Sequence, residues 1–327
     1  MSKLRVAVIM GGKSGEHEVS LVSAAAVMDA MDKSKYDIIP VKISKDGIWE
    51  RDGKFFNPWD LQAIADFVLP ILHGPNGEDG TVQGLLELLN IPYAGCGVIG
   101  CAATMDKIVA KEIFAAAGLK QTPYIAFTRA DVCEELFDRI DNALKYPLFV
   151  KPANMGSSVG ISKVDDKHEL KHAVEFAGHF DDRFVVEQGV NSRELESAVL
   201  GNDILELGAI GEIVAKDGFY DYEEKYSESS SADLIYPAHI SQKKEAEIKE
   251  MAKTAFKAAG CCGFARCDFL MDKETEEVYI NEINAIPGFT KISMYPRLMI
   301  EAGYTYSGLI DRIIELGYER YNAKNNR

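Results

Sequence analysis

Two short segments carry residue types suited to phosphoryl chemistry: Arg266-Cys267-Asp268, and Asn281-Glu282-Ile283-Asn284 just ahead of Ala285-Ile286-Pro287-Gly288. Both read as strands, and residues two apart on a strand share a face. Arg266 therefore points with Asp268, and Glu282 with Asn284. Pairing the two strands would gather two carboxylates and an amide oxygen beside a guanidinium. Hard oxygen ligands of that kind suit Mg²⁺, which keeps its other positions for phosphate oxygens and water. The arginine can carry charge on a transferring phosphoryl group. The plainer reading is a solvated ion pair on an exposed sheet face, and the apolar neighbours Phe269, Leu270 and Ile283 argue against it.

A second segment, Lys151-Pro152-Ala153-Asn154-Met155-Gly156-Ser157-Ser158-Val159-Gly160, places a lysine at a strand end before a Gly/Ser turn. Backbone N–H groups in such a turn can cradle phosphate oxygens. No Gly-Lys-Ser/Thr follows, so it is not a Walker loop, and a glycine-serine turn taken alone is commonly only a turn. A third runs from His73-Gly74 through Gly77-Glu78-Asp79-Gly80 to Gln83-Gly84. A neutral His73 and Glu78 at a strand end could orient a small charged substrate, while Asp79 or Thr81 could cap the following helix. Glu16, at the first strand–helix turn, could accept from an ammonium or simply favour the helix dipole. Glu187, at the join of the second and third parts of the chain, could accept from an adenine amino group, and Glu194 could hold ribose hydroxyls.

The net charge is −15, from 36 basic and 51 acidic residues. That field repels nucleic acid and anionic membranes, so no nucleic-acid partner is expected. An anionic substrate then requires a local cation cluster, which Lys107, Lys151, Lys225 and Arg266 supply. No apolar run approaches the ~18 residues of a membrane span. The run after Met1 stops at Gly11-Gly12 without a cleavage site, and reads as a buried strand rather than a signal peptide. Six cysteines with no Cys-x-x-Cys suit free, mostly buried thiols in a reducing cytosol.

The elements that must position these groups fall into three parts: an N-terminal α/β domain over 1–95, a central α+β lobe over 96–187 and a C-terminal lobe over 188–327. The first alternates strands at Leu4–Met10, Tyr36–Ile43 and Phe67–Leu72 with helices from His17 and around Gln83–Leu89, which implies a parallel sheet. Its ligand crevice would lie beyond the strand C-termini, where Gly11, Gly12 and His73 stand. The central lobe shows a helix over Asp106–Ala117 stopped by Gly118, a helix at Glu169–Ala177, and strands at Tyr124–Phe127, Leu148–Val150, Val159–Lys163 and Arg183–Glu187. In the last part strands at Glu194–Leu200 and Ile204–Ile210 precede a polar stretch, 216–233, long enough to be a lid. Ile248, Met251, Ala252, Ala255, Phe256 and Ala259 recur at helical spacing up to Gly260. Strands at Ala265–Met271 and Val278–Asn284 and a helix at Tyr306–Glu315 complete the reading.

Taken together these motifs resemble the ATP-grasp enzymes, and closely the D-alanine–D-alanine ligases, along the whole chain. The resemblance rests on Gly11-Gly12…Glu16-His17-Glu18-Val19-Ser20, His73-Gly74…Gly80…Gln83-Gly84, Met105-Asp106-Lys107 and Lys151…Gly160. It continues through Tyr220–Tyr226, Arg266-Cys267-Asp268, Asn281–Asn284 and Pro287-Gly288-Phe289-Thr290…Ser293-Met294-Tyr295-Pro296. It implies that two α+β lobes sandwich ATP behind the N-terminal domain, and that two D-alanines are joined through an acyl phosphate. Lys107, Lys151, Glu187 and Glu194 would bind ATP, and Lys225 would meet the γ-phosphate from the lid. Asp268, Glu282 and Asn284 would hold two Mg²⁺, with Mn²⁺ able to substitute and room for a monovalent cation. Arg266 and the Gly288 amide would stabilise the tetrahedral intermediate. Glu16, Ser157 and Tyr226 would clamp the lid, Glu16 also holding the first D-alanine's ammonium with His73 near its carboxylate. Ser293 would bind the second carboxylate.

The resemblance also implies a cytoplasmic homodimer. Ala285 replaces the family's usual Thr, Ser or Pro, a matter of packing. Lys291-Ile292 stands where Ser-His is common, which bears on the second substrate. The rival acceptors are D-serine and D-lactate; Tyr226 and Met294 argue against D-lactate. A non-catalytic nucleotide-binding protein of the same fold is a more distant alternative, and a dinucleotide dehydrogenase lacks its Gly-x-Gly-x-x-Gly.

Overall fold

The computed structural model describes residues 2–214 and 233–325. Lys225, Tyr226 and the rest of the expected lid before Asp233 lie outside the described residues.

The N-terminal part comprises β1 (Leu4–Gly11), α1 (His17–Ala30), β2 (Tyr36–Ile43), β3 (Trp49–Arg51), β4 (Lys54–Phe55), α2 (Leu61–Ile64), β5 (Phe67–Ile71) and α3 (Thr81–Leu88). The sheet order is β4-β3-β2-β1-β5, with β1 parallel to both neighbours and β3–β4 an antiparallel extension. Val6, Ala7, Val8 and Ile9 on the central strand are wholly buried, as a parallel strand covered on both faces must be. The β3–β4 hairpin, absent from the sequence reading, turns on Asp52-Gly53, both at positive φ.

Next come α4 (Val98–Met105), α5 (Lys107–Ala116), β6 (Tyr124–Thr128), α6 (Glu134–Ala143), β7 (Leu148–Pro152), β8 (Ser162–Val164), α7 (Lys167–Ala177) and β9 (Arg183–Gln188). Their sheet is antiparallel, order β6-β9-β7-β8, with α6 and α7 sharing its core. Asp106 starts α5 by accepting from the Ile108 and Val109 N–H groups, each at 3.0 Å. Gly118, at φ +73°, ends it. The strand expected at Val159–Lys163 begins only at Ser162, because the Gly/Ser loop stays irregular through Ile161.

The last part holds β10 (Ser192–Gly201), β11 (Leu205–Val214), β12 (Asp233–Ile235), α8 (Gln242–Ala258), β13 (Gly263–Asp272), β14 (Val278–Asn284), α9 (Met294–Glu301) and α10 (Tyr306–Asn325). The antiparallel order is β12-β11-β10-β13-β14. The stripe on α8 packs as read, with Ile248, Ala252, Ala255 and Phe256 fully buried. All six cysteines are free, and Cys96, Cys101, Cys261 and Cys267 are buried. Ala285 is buried in the same core as α8, in keeping with a packing role.

The C-terminal helix reaches back to the first sheet. Its residues Ile310, Ile313 and Ile314 join the core formed by β1 and β5. Phe67 and Tyr318 lie with ring centroids 5.0 Å apart. Gly317 permits that approach: a Cβ there would fall 2.6 Å from both Phe67 Cζ and Tyr93 O. Alanine is the better helix former by about 1 kcal/mol, yet overpacking costs about 1–3 kcal/mol. Gly317→Ala is therefore expected to lower Tm in thermal unfolding, and a raised Tm would show that α10 does not dock this closely.

Candidate active site

The register of β10, β13 and β14 builds one polar face. Glu196 stands opposite Asp268, which stands opposite Glu282; one step along, Ala198, Arg266 and Asn284 align. Arg266 reaches Asp268 with two parallel bonds, Nε to Oδ1 and Nη2 to Oδ2, both 2.7 Å, and Glu196 Oε2 lies 3.1 Å from Nε. Asn284 Nδ2 donates to Asp268 Oδ2 at 2.9 Å. Burial alone would lower the Arg266 pKa, but Asp268, Glu196 and Glu282 drive it well above the ordinary value. The site thus holds an excess of carboxylate around one fixed cation. A bulge in β14 shifts the register after Asp268, so adjacent Asn281 and Glu282 both line one cavity, which a regular strand would forbid.

Across that cavity stand Lys107, Lys111, Lys151 and Glu187. Phe149 pairs with Glu187 across β7–β9, and Lys151, two residues on, shares the face. Lys151 Nζ lies 3.0 Å from Glu187 Oε1, and Lys111 Nζ 3.2 Å from Oε2. Thr122 Oγ1 donates to the same oxygen at 3.1 Å. Burial works to raise the Glu187 pKa, yet the two lysines outweigh it and hold it at about 2. Lys107 Nζ donates to the Met155 carbonyl, joining α5 to the Gly/Ser loop.

The third wall comes from the N-terminal part. Ser157 Oγ donates to Glu16 Oε1. Gly74, at φ +73°, leaves room for that carboxylate, since a Cβ there would sit 2.4 Å from Glu16 Oε2. Ser157 and Ser158 adopt left-handed backbone, φ +48° and +61°, a local strain of the kind functional loops hold. His73 and Glu78 hold the backbone of one residue in the 285–288 loop, on the peptides either side of it: His73 Nδ1 is 3.0 Å from Ile286 O, and Ile286 N donates to Glu78 Oε1 at 2.9 Å. A carbonyl only accepts, so Nδ1 carries the proton, and Nε2 accepts from Ser23 Oγ at 3.1 Å. Burial pushes His73 down, keeping it neutral, and lifts Glu78 to about 8. Gly288 lies against Ser293, whose Oγ would be 3.0 Å from an added Cβ. Ser293 Oγ accepts from Thr290 N at 3.0 Å.

Comparison with known proteins agrees with this geometry. The family description "D-ala D-ala ligase C-terminus" matches residues 113–315, and "D-ala D-ala ligase N-terminus" matches 5–62 and 50–96. A D-alanine–D-alanine ligase of Chloroherpeton thalassium is 45% identical, each chain covered completely. The chain belongs to the D-alanine–D-alanine ligase family. Solved structures agree: a D-alanine–D-alanine ligase of Coxiella burnetii is 32% identical with TM-score 0.88, covering 100% of this chain and 97% of its own. The VanG D-Ala:D-Ser ligase of Enterococcus faecalis is 38% identical with TM-score 0.87, covering 97% and 100%. These relatives have the ATP-grasp fold, and so does this chain.

Within this member of the family, the described residues bring Glu16, His73, Glu78 and Ser157 together, place Gly288 against Ser293, set Lys107, Lys151, Glu187 and Glu282 around the cavity, and join Arg266, Asp268 and Asn284 to Glu282 through the β13–β14 register. Glu194 shares the strand face of Glu196, two residues on. Met294 does not join them. Its side chain is buried in the core against Gly211, where an added Cβ would meet its sulfur at 2.5 Å. Glu78 spends both oxygens on backbone, Gly74 N and Ile286 N. Lys291 is exposed and pairs with Asp29 at 3.6 Å, and Ile292 is exposed beside it. The sequence reading missed Glu196, Lys111 and Asn281. The alternation Glu194-Leu195-Glu196 ahead of an apolar run was a usable signal for the first; the buried lysine left none.

The Glu187 carboxyl fixes a pH prediction. Its pKa is depressed in the fold, so its contribution to stability is present above pH 4.5 and lost as pH falls toward 2. Melting curves of the wild type and Glu187→Gln, recorded across that window, should converge at the acid end, since glutamine has nothing to titrate. A gap that stays constant with pH would contradict the assignment.

Proposed function

We propose that this protein joins two D-alanines at the expense of ATP, through a D-alanyl phosphate, as a step toward peptidoglycan. The observation that carries the reading is the opposition, across one cavity, of Asn281 and Glu282 on β14, with Asp268 paired to Glu282 on β13, and of lysines on α5 and β7. One wall suits metal-bridged phosphates and the other suits phosphate charge directly. Membership of the family and the names of its close relatives supply the substrate.

The chemistry requires both walls. A carboxylate resists an amine, because it is anionic and would have to expel oxide. Transfer of the γ-phosphoryl group turns that oxygen into a good leaving group, and such transfer needs positioning and electrostatics more than covalent help. Asp268, Glu282 and Asn284 would hold Mg²⁺. Among the described residues no three His, Cys, Asp or Glu side chains close into a metal cage, but two carboxylates and an amide fit an ion that retains phosphate and water ligands. Mg²⁺ would neutralise the phosphates' developing charge. Asn284 presents its amide oxygen after a half-turn of the side chain.

Lys151 and Lys107 would hold phosphate oxygens, Glu187 the adenine amino group and Glu194 the ribose. Glu16, fixed by Ser157, would accept from the first D-alanine's ammonium, with His73 beside it. Arg266 and the Gly288 N–H would receive the oxyanion formed on attack, and Ser293 the second carboxylate. The attacking amine must be neutral, and with a pKa of about 8 it loses its proton at modest cost; Ser157 and Tyr226 are the proposed relay. Lys225 belongs to the same proposal on the sequence alone. We also read the protein as a cytoplasmic homodimer. Among the described residues no helix is long and apolar enough to cross a membrane.

Phosphate release with Mg-ATP and D-alanine should be brisk, yield the dipeptide and fail with L-alanine. A mixed product with D-serine outrunning it would reassign the acceptor, and no turnover with any pair would end the ligase reading. Arg266→Lys keeps the charge but loses the two-pronged geometry. It should lower kcat roughly a hundredfold, and near-normal kcat would remove Arg266 from the oxyanion.

A further inference from the structure

Glu187 is held by two lysines that stand in different situations. Lys151 ends β7 beside the Gly/Ser loop, its side chain 15% exposed, where it can swing toward a ligand. Lys111 sits inside α5, 2% exposed, with its ammonium 4.8 Å from the centre of the Tyr124 ring. Its helix neighbours Ala110 and Phe114 are apolar core residues, so packing alone asks for no charge there. An ammonium buried this far is unfavourable unless compensated, as the isolated ions of a buried pair are. Burial accordingly pulls its pKa down, with Glu187 opposing.

Lys111 is compensated only in part. Its ammonium lies 3.2 Å from Glu187 Oε2 and over the Tyr124 ring, and among the described residues no other side chain pairs with its Nζ. The fold thus maintains a buried cation whose ion pair, among the described residues, is with the carboxylate that also holds Lys151. If Lys151 turns to a phosphate oxygen, Glu187 keeps a counter-ion only because Lys111 remains. Without Lys111, that movement would strand a carboxylate that is 4% exposed, and nucleotide binding would have to offset the cost.

We propose that Lys111 is a positioning residue for the nucleotide: it is the standing counter-ion of Glu187, which frees Lys151 to leave that carboxylate for a phosphate when ATP enters. The inference rests on the nucleotide reading of the cavity given above. It assigns Lys111 no contact with the reacting atoms, so its effect falls on ATP affinity rather than on the chemical step.

The test is a cycle of Lys111→Met, Glu187→Gln and the double variant, read by calorimetric binding of Mg-ADP and by KM for ATP against kcat. Lys111→Met should weaken ADP binding and raise KM for ATP roughly tenfold or more, with kcat at saturating ATP little changed. Glutamine needs no counter-ion, so in the Glu187→Gln background the Lys111→Met change should cost little further affinity, whatever Glu187→Gln itself costs. If Lys111→Met binds ADP as the wild type does, or costs as much affinity in the Glu187→Gln background as in the wild type, the proposal is overturned. Should Lys111→Met fail to fold, the double variant decides by its affinity against that of Glu187→Gln alone. Lys111→Arg, which retains the charge, decides if both fail: near-normal affinity supports the proposal and a large loss ends it. A wild type that binds ADP but turns over no D-alanine would remove the ligase reading and leave this one intact.

Discussion

One guanidinium set against three carboxylates governs the site. Arg266 lies within 3.1 Å of both Asp268 and Glu196 and in the field of Glu282, on strands whose register leaves these groups nowhere else to point. At such distances in a partly desolvated setting, like charges repel strongly. A single cation relieves only part of that repulsion. What remains favours a further positive charge on the same face, and on the proposed reading a small divalent ion accompanying phosphate oxygens would supply it. Retaining this excess costs stability in the free protein, and the apolar core beneath β13, with Cys267, Phe269 and Ile283 buried, is what tolerates it.

The other half of the arrangement is backbone. His73 and Glu78 act on the backbone of Ile286 from the N-terminal part, one through its carbonyl and one through its N–H. That grip anchors the segment that leads to Gly288 and Ser293. It couples two portions of the chain that are 208 residues apart. Burial works against the charged form of both side chains, in Glu78 against two backbone N–H groups that favour it. The N-terminal part therefore fixes the 285–288 loop as well as contributing Glu16 and His73.

Much of this was legible before any coordinates. The pairing of the strands that carry Arg266, Asp268, Glu282 and Asn284 was readable because a period of two is short and the residues are chemically distinctive. The α5 helix was bounded correctly by an aspartate and a glycine with physical reasons to stand there. Other elements escaped for equally physical reasons. Pro296 reads as a breaker, yet it sits in the first turn of α9, where its missing N–H costs nothing. Small residues fill α4, Val98–Met105, and leave no stripe to see. His73 and Glu78 stood out in the sequence, but sequence gives no view of the Ile286 backbone brought to them from the far end of the chain. Lys111 was invisible for the opposite reason: lysines on helices usually face water.

The most direct test is Mn²⁺ binding followed by electron paramagnetic resonance, on the wild type and on Glu282→Gln, with and without ADP. If the carboxylate row holds a metal ion together with phosphate oxygens, Mn²⁺ will bind weakly alone and more tightly once ADP is present, and Glu282→Gln will lose that nucleotide-dependent gain. Equal binding with and without ADP, or a gain that survives Glu282→Gln, would contradict the account.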